Sequence, residues 1–179
     1  DELKEDALQA VQALRALGVE KIMMLTGDGE AVAESVAQKL ALDSYLAELL
    51  PEEKVSAIEK LISEAEKDDK VAFVGDGIND APVIARADVG VAMGGLGSDA
   101  AIDTADVVIM TDAPSKVAEA IKIGRKTRRI VWQNIALALA VKGAFILLGV
   151  AGLATMWEAV FADVGVALLA IFNATRVLR

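Results

Sequence analysis

The stretch Val71-Ala-Phe-Val-Gly-Asp-Gly-Ile-Asn-Asp-Ala81 decides how this chain folds. Its first four residues are apolar and predict a buried strand, and the helical pattern that follows carries Pro82 in its first turn. Asp76, Asn79 and Asp80 therefore lie at the carboxyl end of a strand, where open α/β sheets build their sites. Carboxylates on a tight glycine turn suit Mg²⁺, and Mg²⁺ suits phosphate. A surface hairpin is the alternative, since Asp-Gly between apolar runs is a common turn.

A second stretch, Lys21-Ile-Met-Met-Leu-Thr-Gly-Asp-Gly29, repeats this plan. An apolar run leads into Thr26-Gly27-Asp28, and the helical pattern Glu30–Leu42 follows. Two such units predict neighbouring parallel strands whose turns lie on the same edge of the sheet. The Thr26 hydroxyl and the free backbone N–H groups at the helix start would attract an anion there.

A lysine stands at the start of the next predicted helix. Leu50-Pro-Glu-Glu-Lys-Val55 places Lys54 in the first turn, where a cation is poorly accommodated unless something negative holds it. An exposed lysine that pairs with Glu52 or Glu53 is the alternative.

Three motifs, in this order and spacing, resemble the haloacid-dehalogenase-like phosphotransferases and, more closely, the phosphorylation domain of P-type ATPases. They are Thr26-Gly27-Asp28, Pro51-Glu-Glu-Lys54 and Gly75-Asp-Gly-Ile-Asn-Asp-Ala-Pro82. The resemblance implies an α/β fold: part of a haloacid-dehalogenase-like phosphorylation domain with a Rossmann-type parallel sheet, followed by a two-helix transmembrane hairpin.

The resemblance also implies roles for the matching residues, with ATP and Mg²⁺ as cofactors. Asp76 would be a Mg²⁺ ligand. Asp80 would support the Mg²⁺ site without binding the ion directly, and Asp28 would help order the nucleotide-side loop. The residues that would hold the phosphoryl oxygens and offset their charge are Thr26, Gly27, Lys54 and Asn79. Such a site suits phosphoryl transfer, in which positioning and charge neutralisation do most of the catalysis.

Several parts of that family's sequence do not occur in this one. The nucleophilic aspartate belongs to an Asp-Lys-Thr-Gly-Thr segment, and no such segment is present. The nucleotide-binding domain, the actuator domain and the earlier membrane helices have no counterpart either. We therefore expect a fragment whose partner is the missing upstream portion of the pump, and which does not hydrolyse ATP alone.

Charge divides the chain into two unlike parts. Residues 1–112 hold 9 basic and 24 acidic residues, whereas residues 113–179 hold 9 basic and 3 acidic residues. We expect an α/β phosphorylation domain over 1–112, a basic linker helix over 113–129 and two transmembrane helices over 130–179. The acidity of the first part argues against nucleic-acid binding. With no cysteine and no histidine, any metal must be held by oxygen ligands or by parts not present.

Local patterns predict the elements of the first part. Ser115 is placed to cap a helix that begins at Lys116, and the glycine-rich loop Gly94–Gly97 is interpreted as a plain connector rather than a phosphate cradle. The predicted helices are Asp1–Leu17, Glu30–Leu42, Glu52–Lys67, Ala81–Arg86 and Ser98–Thr104. The predicted strands are Lys21–Leu25, Val71–Val74, Asp88–Ala92 and Asp106–Met110.

After residue 129 the chain becomes strongly apolar. Apolar residues occupy all sides of the helical pattern, which favours lipid contact over two core helices of a soluble protein. Basic clusters flank the stretch on both sides, as the positive-inside rule requires. We expect a multi-pass protein of a prokaryotic inner membrane with a cytoplasmic phosphorylation domain. The lipid-embedded hairpin would run over Val131–Val150, turn at Ala151–Thr155 and return over Met156–Ala174, with Trp132 and Trp157 near opposite interfaces.

Two charged residues lie deep in that stretch. Lys142 and Asp163 reach matching depths, each about 18–20 Å from the basic side at about 1.5 Å per residue. A charged side chain in hydrocarbon costs several kcal/mol unless it is paired or hydrated, so a role in transport is the default hypothesis. An ion pair across the hairpin is geometrically available, and a structural salt bridge between the helices is the alternative.

The last helix narrows the resemblance further. Phe161-Ala-Asp-Val-Gly165 and Asn173-Ala-Thr-Arg176 are similar to the final helix of heavy-metal ATPases that export zinc, cadmium and lead. The resemblance implies that Asp163 binds the transported cation and that Lys142 is its counter-ion when the site empties. Phosphoryl chemistry would be relayed through the helix Lys116–Arg129. Two alternatives stay open: a phosphatase of the dehalogenase superfamily, and a non-catalytic membrane-anchored partner.

Overall fold

The structure, a computed structural model, describes residues 3–75, 78–94 and 99–178, and of residues 78 and 99–101 only the backbone. The chain forms two compact units, over residues 1–120 and 121–179. The predicted division at residues 112 and 129 stays a prediction.

The first unit alternates short strands with helices. Its strands are β1 (Met23–Leu25), β2 (Ser44–Leu46), β3 (Ala72–Gly75), β4 (Val89–Met93) and β5 (Val107–Ile109). Its helices are α1 (Ala7–Ala16), α2 (Glu30–Leu40), α3 (Pro51–Glu64), α4 (Ala81–Arg86) and α5 (Asp99–Thr104), and a 3₁₀ turn, Ile78–Asp80, precedes α4. The α/β class and the parallel pairing that the sequence predicted are confirmed.

The described strands form two parallel sheets. β1 pairs with β2, aligning Met24 with Tyr45, and β4 lies between β3 and β5, aligning Val74 with Val91. Ile84 of α4 packs on the second sheet against Ala92 with almost no solvent exposure.

The prediction that the two repeated strand-turn-helix units are neighbours is wrong for the described strands, because β1 and β3 belong to different sheets. The partner of β1 is β2, which the sequence did not predict. β2 has three residues, one of them a serine, and is too short to show an alternating pattern.

Aspartates that directly precede strands connect neighbouring strands. The Asp43 carboxylate accepts a hydrogen bond from the backbone N–H of Ile22 (2.7 Å), and Asp88 accepts one from Val71 (3.0 Å). These backbone donors are the main reason that the pKa of each carboxyl lies below its ordinary value. Asp106 accepts in the same way from the N–H of Gly90 (2.8 Å). The three carboxylates thus satisfy backbone donors at or near the start of the strands.

The second unit consists mainly of a helical hairpin. α6 (Ser115–Val150) begins in the first unit and is one continuous helix, while α7 (Met156–Ala174) leads into a 3₁₀ turn at Thr175–Leu178. The turn at 151–155 contains Gly152 in the left-handed region (φ +71°). Both long helices are apolar and long enough to cross a membrane. Only 6% of the most apolar 18-residue stretch of α6 is buried, and 0% of that of α7. The two long apolar helices predicted from the sequence are confirmed. The first ends at Val150 and the second runs from Met156 to Ala174, as predicted.

A capping box explains Glu158, one of the few charges in the apolar part. Its carboxylate accepts from the backbone N–H of Thr155 (2.7 Å), and the Thr155 hydroxyl accepts from the N–H of Glu158 (3.4 Å). The Thr-x-x-Glu spacing was readable from the sequence.

The prediction that Ser115 caps the start of α6 is wrong. Ser115 is the first residue of the helix rather than its cap. Its backbone N–H instead donates to the carboxylate of Asp6, which precedes α1, at 2.9 Å. This cap comes from the far end of the sequence, so no local pattern around Ser115 contains it.

Candidate functional site

Lys54 and Asp80, two of the predicted site residues, form an ion pair. The Lys54 Nζ lies 3.0 Å from the Asp80 Oδ1, and the two side chains are only 18% and 14% exposed. The alternative, a surface lysine paired with Glu52 or Glu53, is not observed: the Glu53 carboxylate instead accepts a hydrogen bond from the backbone N–H of Leu50 (2.8 Å). The pair therefore joins the first turn of α3 to the start of α4.

Gly75 leaves the space that Asp80 occupies. A Cβ added at position 75 would lie 2.8 Å from the Asp80 Cβ and 3.0 Å from both its Oδ2 and the Cε1 of Phe73. Carbon atoms do not approach so closely without displacement. A glycine at the end of β3 is thus a condition for the position of the Asp80 carboxylate.

The Thr26-Gly27-Asp28 turn after β1 is closed by its own side chains. The Thr26 Oγ1 donates to the Asp28 Oδ2 at 2.9 Å and accepts from the Asp28 backbone N–H at 3.0 Å. A Cβ on Gly27 would lie 3.3 Å from the carbonyl oxygen of Leu49. The short polar side chains and the glycine hold the turn tightly against the neighbouring loop.

Backbone hydrogen bonds join this turn to the loop after β2. The N–H of Thr26 donates to the carbonyl of Leu46 at 3.0 Å, and the Thr26 carbonyl accepts from Leu49 at 3.0 Å. The chain continues directly from this loop into α3, whose Lys54 reaches Asp80 beyond the end of β3. The carboxyl ends of β2 and β3 therefore face the same region, which is the edge where open α/β sheets build their sites.

The remaining predicted site residues are not all brought together. Asn79 is exposed in the 3₁₀ turn beside Asp80. Asp76 lies outside the described residues. Among the residues that are described, Thr26 and Asp28 make no hydrogen bond or ion pair with Lys54 or Asp80.

The described residues alone offer no cluster of three acidic side chains that would hold a metal ion. The donor set is still the kind that Mg²⁺ prefers. With no histidine or cysteine in the chain, every side-chain ligand must be an oxygen. Lys54 engages one oxygen of Asp80 and leaves Oδ2 without a hydrogen bond in the described region.

Lys142 of α6 and Asp163 of α7 line one cavity of about 300 Å³ between the helices. The cavity is otherwise mostly apolar, with Val141, Phe145 and Val166 on its walls. The ion pair that the sequence made available is not formed, since no contact within 4.0 Å joins these two described residues. Both side chains therefore line the same cavity without forming an ion pair with each other.

A polar cluster, which the sequence did not predict, ties the helices together near the basic end of the hairpin. The Asn173 Nδ2 donates to the Asn134 Oδ1 (2.9 Å) and the Gln133 Oε1 (3.3 Å). The Asn134 Nδ2 donates to the carbonyl oxygen of Ala170 (3.2 Å), and Arg176 donates to the Asn173 Oδ1 (2.8 Å). Amide side chains in a strongly apolar helix pair were the available signal.

Residues 1–88 match a family model described as haloacid dehalogenase-like hydrolase. The chain is 72% identical over its whole length to a zinc-transporting ATPase of Synechocystis, covering 25% of that protein. It is 60% identical, again over its whole length, to a cadmium, zinc and cobalt-transporting ATPase of Bacillus subtilis, covering 26% of that protein.

A solved structure resembles the chain in the same way. The crystal structure of a zinc-transporting PIB-type ATPase in its E2.Pi state matches with a TM-score of 0.91 and 41% identity. The match covers 100% of this chain and 28% of that one. The chain thus spans about a quarter of the length of the proteins it matches, and both its α/β unit and its apolar hairpin have counterparts in them.

Proposed function

Because the chain belongs to the heavy-metal P-type ATPases, we propose that it supplies part of the phosphorylation domain and two membrane-spanning helices of an ATP-driven exporter of divalent metal cations. The hairpin would lie in the plasma membrane of a prokaryote, with the α/β unit on the cytoplasmic side. The Lys-rich and Arg-rich end of the hairpin supports that orientation.

The observation that carries this proposal is the pair of charges in the apolar hairpin. Lys142 and Asp163 face one cavity between two helices that are long enough to span a bilayer. A charged side chain at that depth in hydrocarbon costs free energy, so its presence indicates a functional role. Asp163 would bind the transported cation through its carboxylate, and Lys142 would neutralise that carboxylate once the cation has left.

The second part of the proposal concerns phosphoryl chemistry. Lys54, Thr26, Gly27 and Asn79 would hold the phosphoryl oxygens of ATP and offset their charge, and Asp28 would order the loop on the nucleotide side. Asp80 would orient the Lys54 ammonium. Mg²⁺ would be held by Asp76 and supported by Asp80, and when bound it would neutralise developing charge on the phosphoryl group.

The nucleophilic aspartate would come from outside this chain. Within the described residues, β1 pairs only with β2 and β3 only with β4, so each has one edge without a partner. A strand edge without a partner leaves backbone N–H and C=O groups that another strand can pair with. A strand from the upstream portion of the pump, bearing the phosphorylated aspartate, would pair there and stand beside Asp80. Without that portion the chain would not hydrolyse ATP.

The helix α6 would couple the two activities. It is continuous from Ser115 to Val150 and carries Lys142. A helix cannot change length, so a displacement at its capped first turn would be transmitted along its axis. The stretch Lys116–Arg129 would relay phosphorylation to the cation site in this way.

Zinc and cadmium are the cargoes that the names of the relatives support best. The Bacillus relative is also named for cobalt, whereas none of the relatives reported above is named for lead. We therefore include zinc and cadmium in the proposal and leave lead out.

Replacing Asp163 with Ala in a complete pump that contains this chain tests the proposal. Zinc-stimulated ATP hydrolysis should be abolished, while the protein still folds and accumulates in the membrane. Glu158→Ala is the matched control, because Glu158 is a carboxylate of the same helix whose contacts are those of a cap. Undiminished zinc stimulation in Asp163→Ala would refute the proposal.

Co-expression separates the pump from the two alternatives. Producing this chain with an upstream fragment that bears the missing aspartate should restore metal-dependent phosphorylation of that fragment. A phosphatase would act without the fragment and would have no use for the two apolar helices. A non-catalytic partner would restore no phosphorylation.

A further inference from the structure

One face of α6 is strongly basic just before the apolar part of the helix. Lys122, Arg125, Lys126 and Arg129 follow one another at intervals of three, one and three residues. At about 100° per residue these side chains fall within an arc of roughly 100°. Arg128 projects to another side of the helix. We call the first four residues the basic face.

The basic face lies on the surface of the helix. All four of its residues are exposed, and Lys122, Lys126 and Arg129 make no ion pair in the part of the chain that the structure describes. By contrast, Lys116, six residues before the face begins, is paired with Glu119 at 2.8 Å. Neighbouring like charges repel each other at this spacing, so an anionic partner would relieve a real cost.

The end of the hairpin adds a further cation beside this face. Gln133 lies one helical turn beyond Arg129 and accepts from the Asn173 amide at 3.3 Å. Arg176 donates to the same Asn173 at 2.8 Å. The polar cluster therefore links Arg176, through Asn173, to Gln133 in the helical turn that follows Arg129.

The surroundings indicate what kind of anion would bind. Beyond Arg129, α6 exposes the apolar side chains Val131, Trp132 and Ile135 beside the polar Gln133. Exposed tryptophan is typical of the level of lipid headgroups. Basic residues next to a membrane span attract anionic lipids, each contributing about 1 kcal/mol near the surface. A partner with negative phosphates above and hydrocarbon below fits both parts of this surface.

We propose that the basic face of α6, together with Arg176, binds the headgroups of anionic phospholipids in the cytoplasmic leaflet. The lipid phosphates would accept charge-assisted hydrogen bonds from the lysines and arginines, while the acyl chains cover the apolar surface beyond Arg129. The site rests on the proposed function only in requiring that the hairpin lies in a bilayer.

The test is a lipid titration of the complete delipidated pump in detergent. Phosphatidylglycerol and phosphatidylcholine of the same acyl chains are added, and bound lipids are counted by native mass spectrometry. Lys126→Gln with Arg129→Gln should weaken phosphatidylglycerol binding by about 30-fold, from the loss of two such contacts. Phosphatidylcholine binding should not change, which reports separately that the hairpin still takes up lipid.

Two further variants keep the outcome unambiguous. Lys39→Gln with Lys67→Gln removes the same number of charges from exposed positions in the α/β unit and should leave phosphatidylglycerol binding intact. Lys126→Arg with Arg129→Lys keeps the charge and should also bind normally. Equal losses in both glutamine variants would mean an unspecific charge effect and would overturn the proposal. Undiminished phosphatidylglycerol binding in Lys126→Gln with Arg129→Gln would overturn it too, and would assign the face to an acidic protein segment.

Discussion

The carboxylate of Asp6 accepts a hydrogen bond from the backbone N–H of Ser115, 109 residues further along the chain, at 2.9 Å. The contact caps the first turn of the helix that carries Lys142. Because hydrogen-bond donors favour the ionised carboxylate, the side chain of Ser115 and then its backbone N–H hold the pKa of Asp6 below its ordinary value of 3.8. A negative charge at this position also complements the positive end of the helix dipole.

This contact predicts a specific dependence of stability on pH. A carboxyl whose pKa is lowered by folding stabilises the protein fully above its unfolded pKa and loses that contribution as pH falls through its folded pKa. Asp6→Asn should therefore lower the midpoint of thermal unfolding at neutral pH, and the difference from the unchanged protein should shrink once pH falls below about 3.8. Asp68→Asn, in an exposed turn, is the control. A difference that is constant between pH 7 and pH 3 would contradict the prediction.

The ion pair of Lys54 and Asp80 predicts a catalytic effect. Lys54→Met in the complete pump removes a cation that we propose offsets phosphoryl charge, and it leaves the little-exposed Asp80 carboxylate without its partner. Metal-stimulated ATP hydrolysis should fall by on the order of 100-fold in kcat, the usual effect of losing one electrostatic stabiliser of a transition state. Phosphoenzyme formation from radioactive ATP measures the step directly.

Lys60→Met provides the comparison for this change. Lys60 lies on the same helix, is mostly exposed and only approaches Glu64 at 3.9 Å. The Lys60→Met pump should retain full metal-stimulated ATP hydrolysis, because an exposed ion pair of this kind contributes little to stability. If the two variants behaved alike, Lys54 would have no part in the phosphoryl chemistry.

Gly75 predicts an effect on stability. An Ala side chain there would lie 2.8 Å from the Asp80 Cβ, so β3 or the 3₁₀ turn must move. Overpacking of this kind costs about 1–3 kcal/mol of unfolding free energy. Gly124→Ala makes the same chemical change at an exposed position of α6 with no atom within 4 Å of the new Cβ. It should stabilise the helix by about 0.5–1 kcal/mol, so the two variants should shift the unfolding midpoint in opposite directions.

Features that depend on local sequence were predictable, whereas features that depend on contacts between distant segments were not. The end of α6 at Val150 and both ends of α7 were predictable, because helices that are apolar on all sides with a Gly-containing turn between them are specified locally. The strand β2 was missed, because three residues carry no period and pairing with β1 alone makes them a strand. The capping of Ser115 by Asp6 was missed for the same reason, since it joins distant segments.

The candidate site shows the same limit. The motifs predicted that Lys54 and Asp80 are site residues, but they did not reveal that the two form an ion pair with each other. The hairpin pattern placed Lys142 and Asp163 at matching depths, and only the structure shows that they face one cavity without touching. Sequence spacing fixes height along a helix, whereas side-chain contact depends on how the helices pack.

The separation of Lys142 from Asp163 leads to the last prediction, which concerns release of the cation. As a counter-ion, Lys142 would not be needed to bind the metal but would be needed to neutralise Asp163 when the site empties. Lys142→Met should therefore keep or tighten zinc binding, measured by equilibrium dialysis, while zinc-stimulated turnover falls by about tenfold, since each 1.4 kcal/mol of lost stabilisation of the empty site slows its formation by that factor. Lys142→Arg should recover part of the turnover, and Lys116→Met, which alters an exposed lysine at the start of α6, should change neither quantity. A purely structural link between the helices would give a different result: Lys142→Met would lower the unfolding midpoint and leave turnover per folded molecule unchanged.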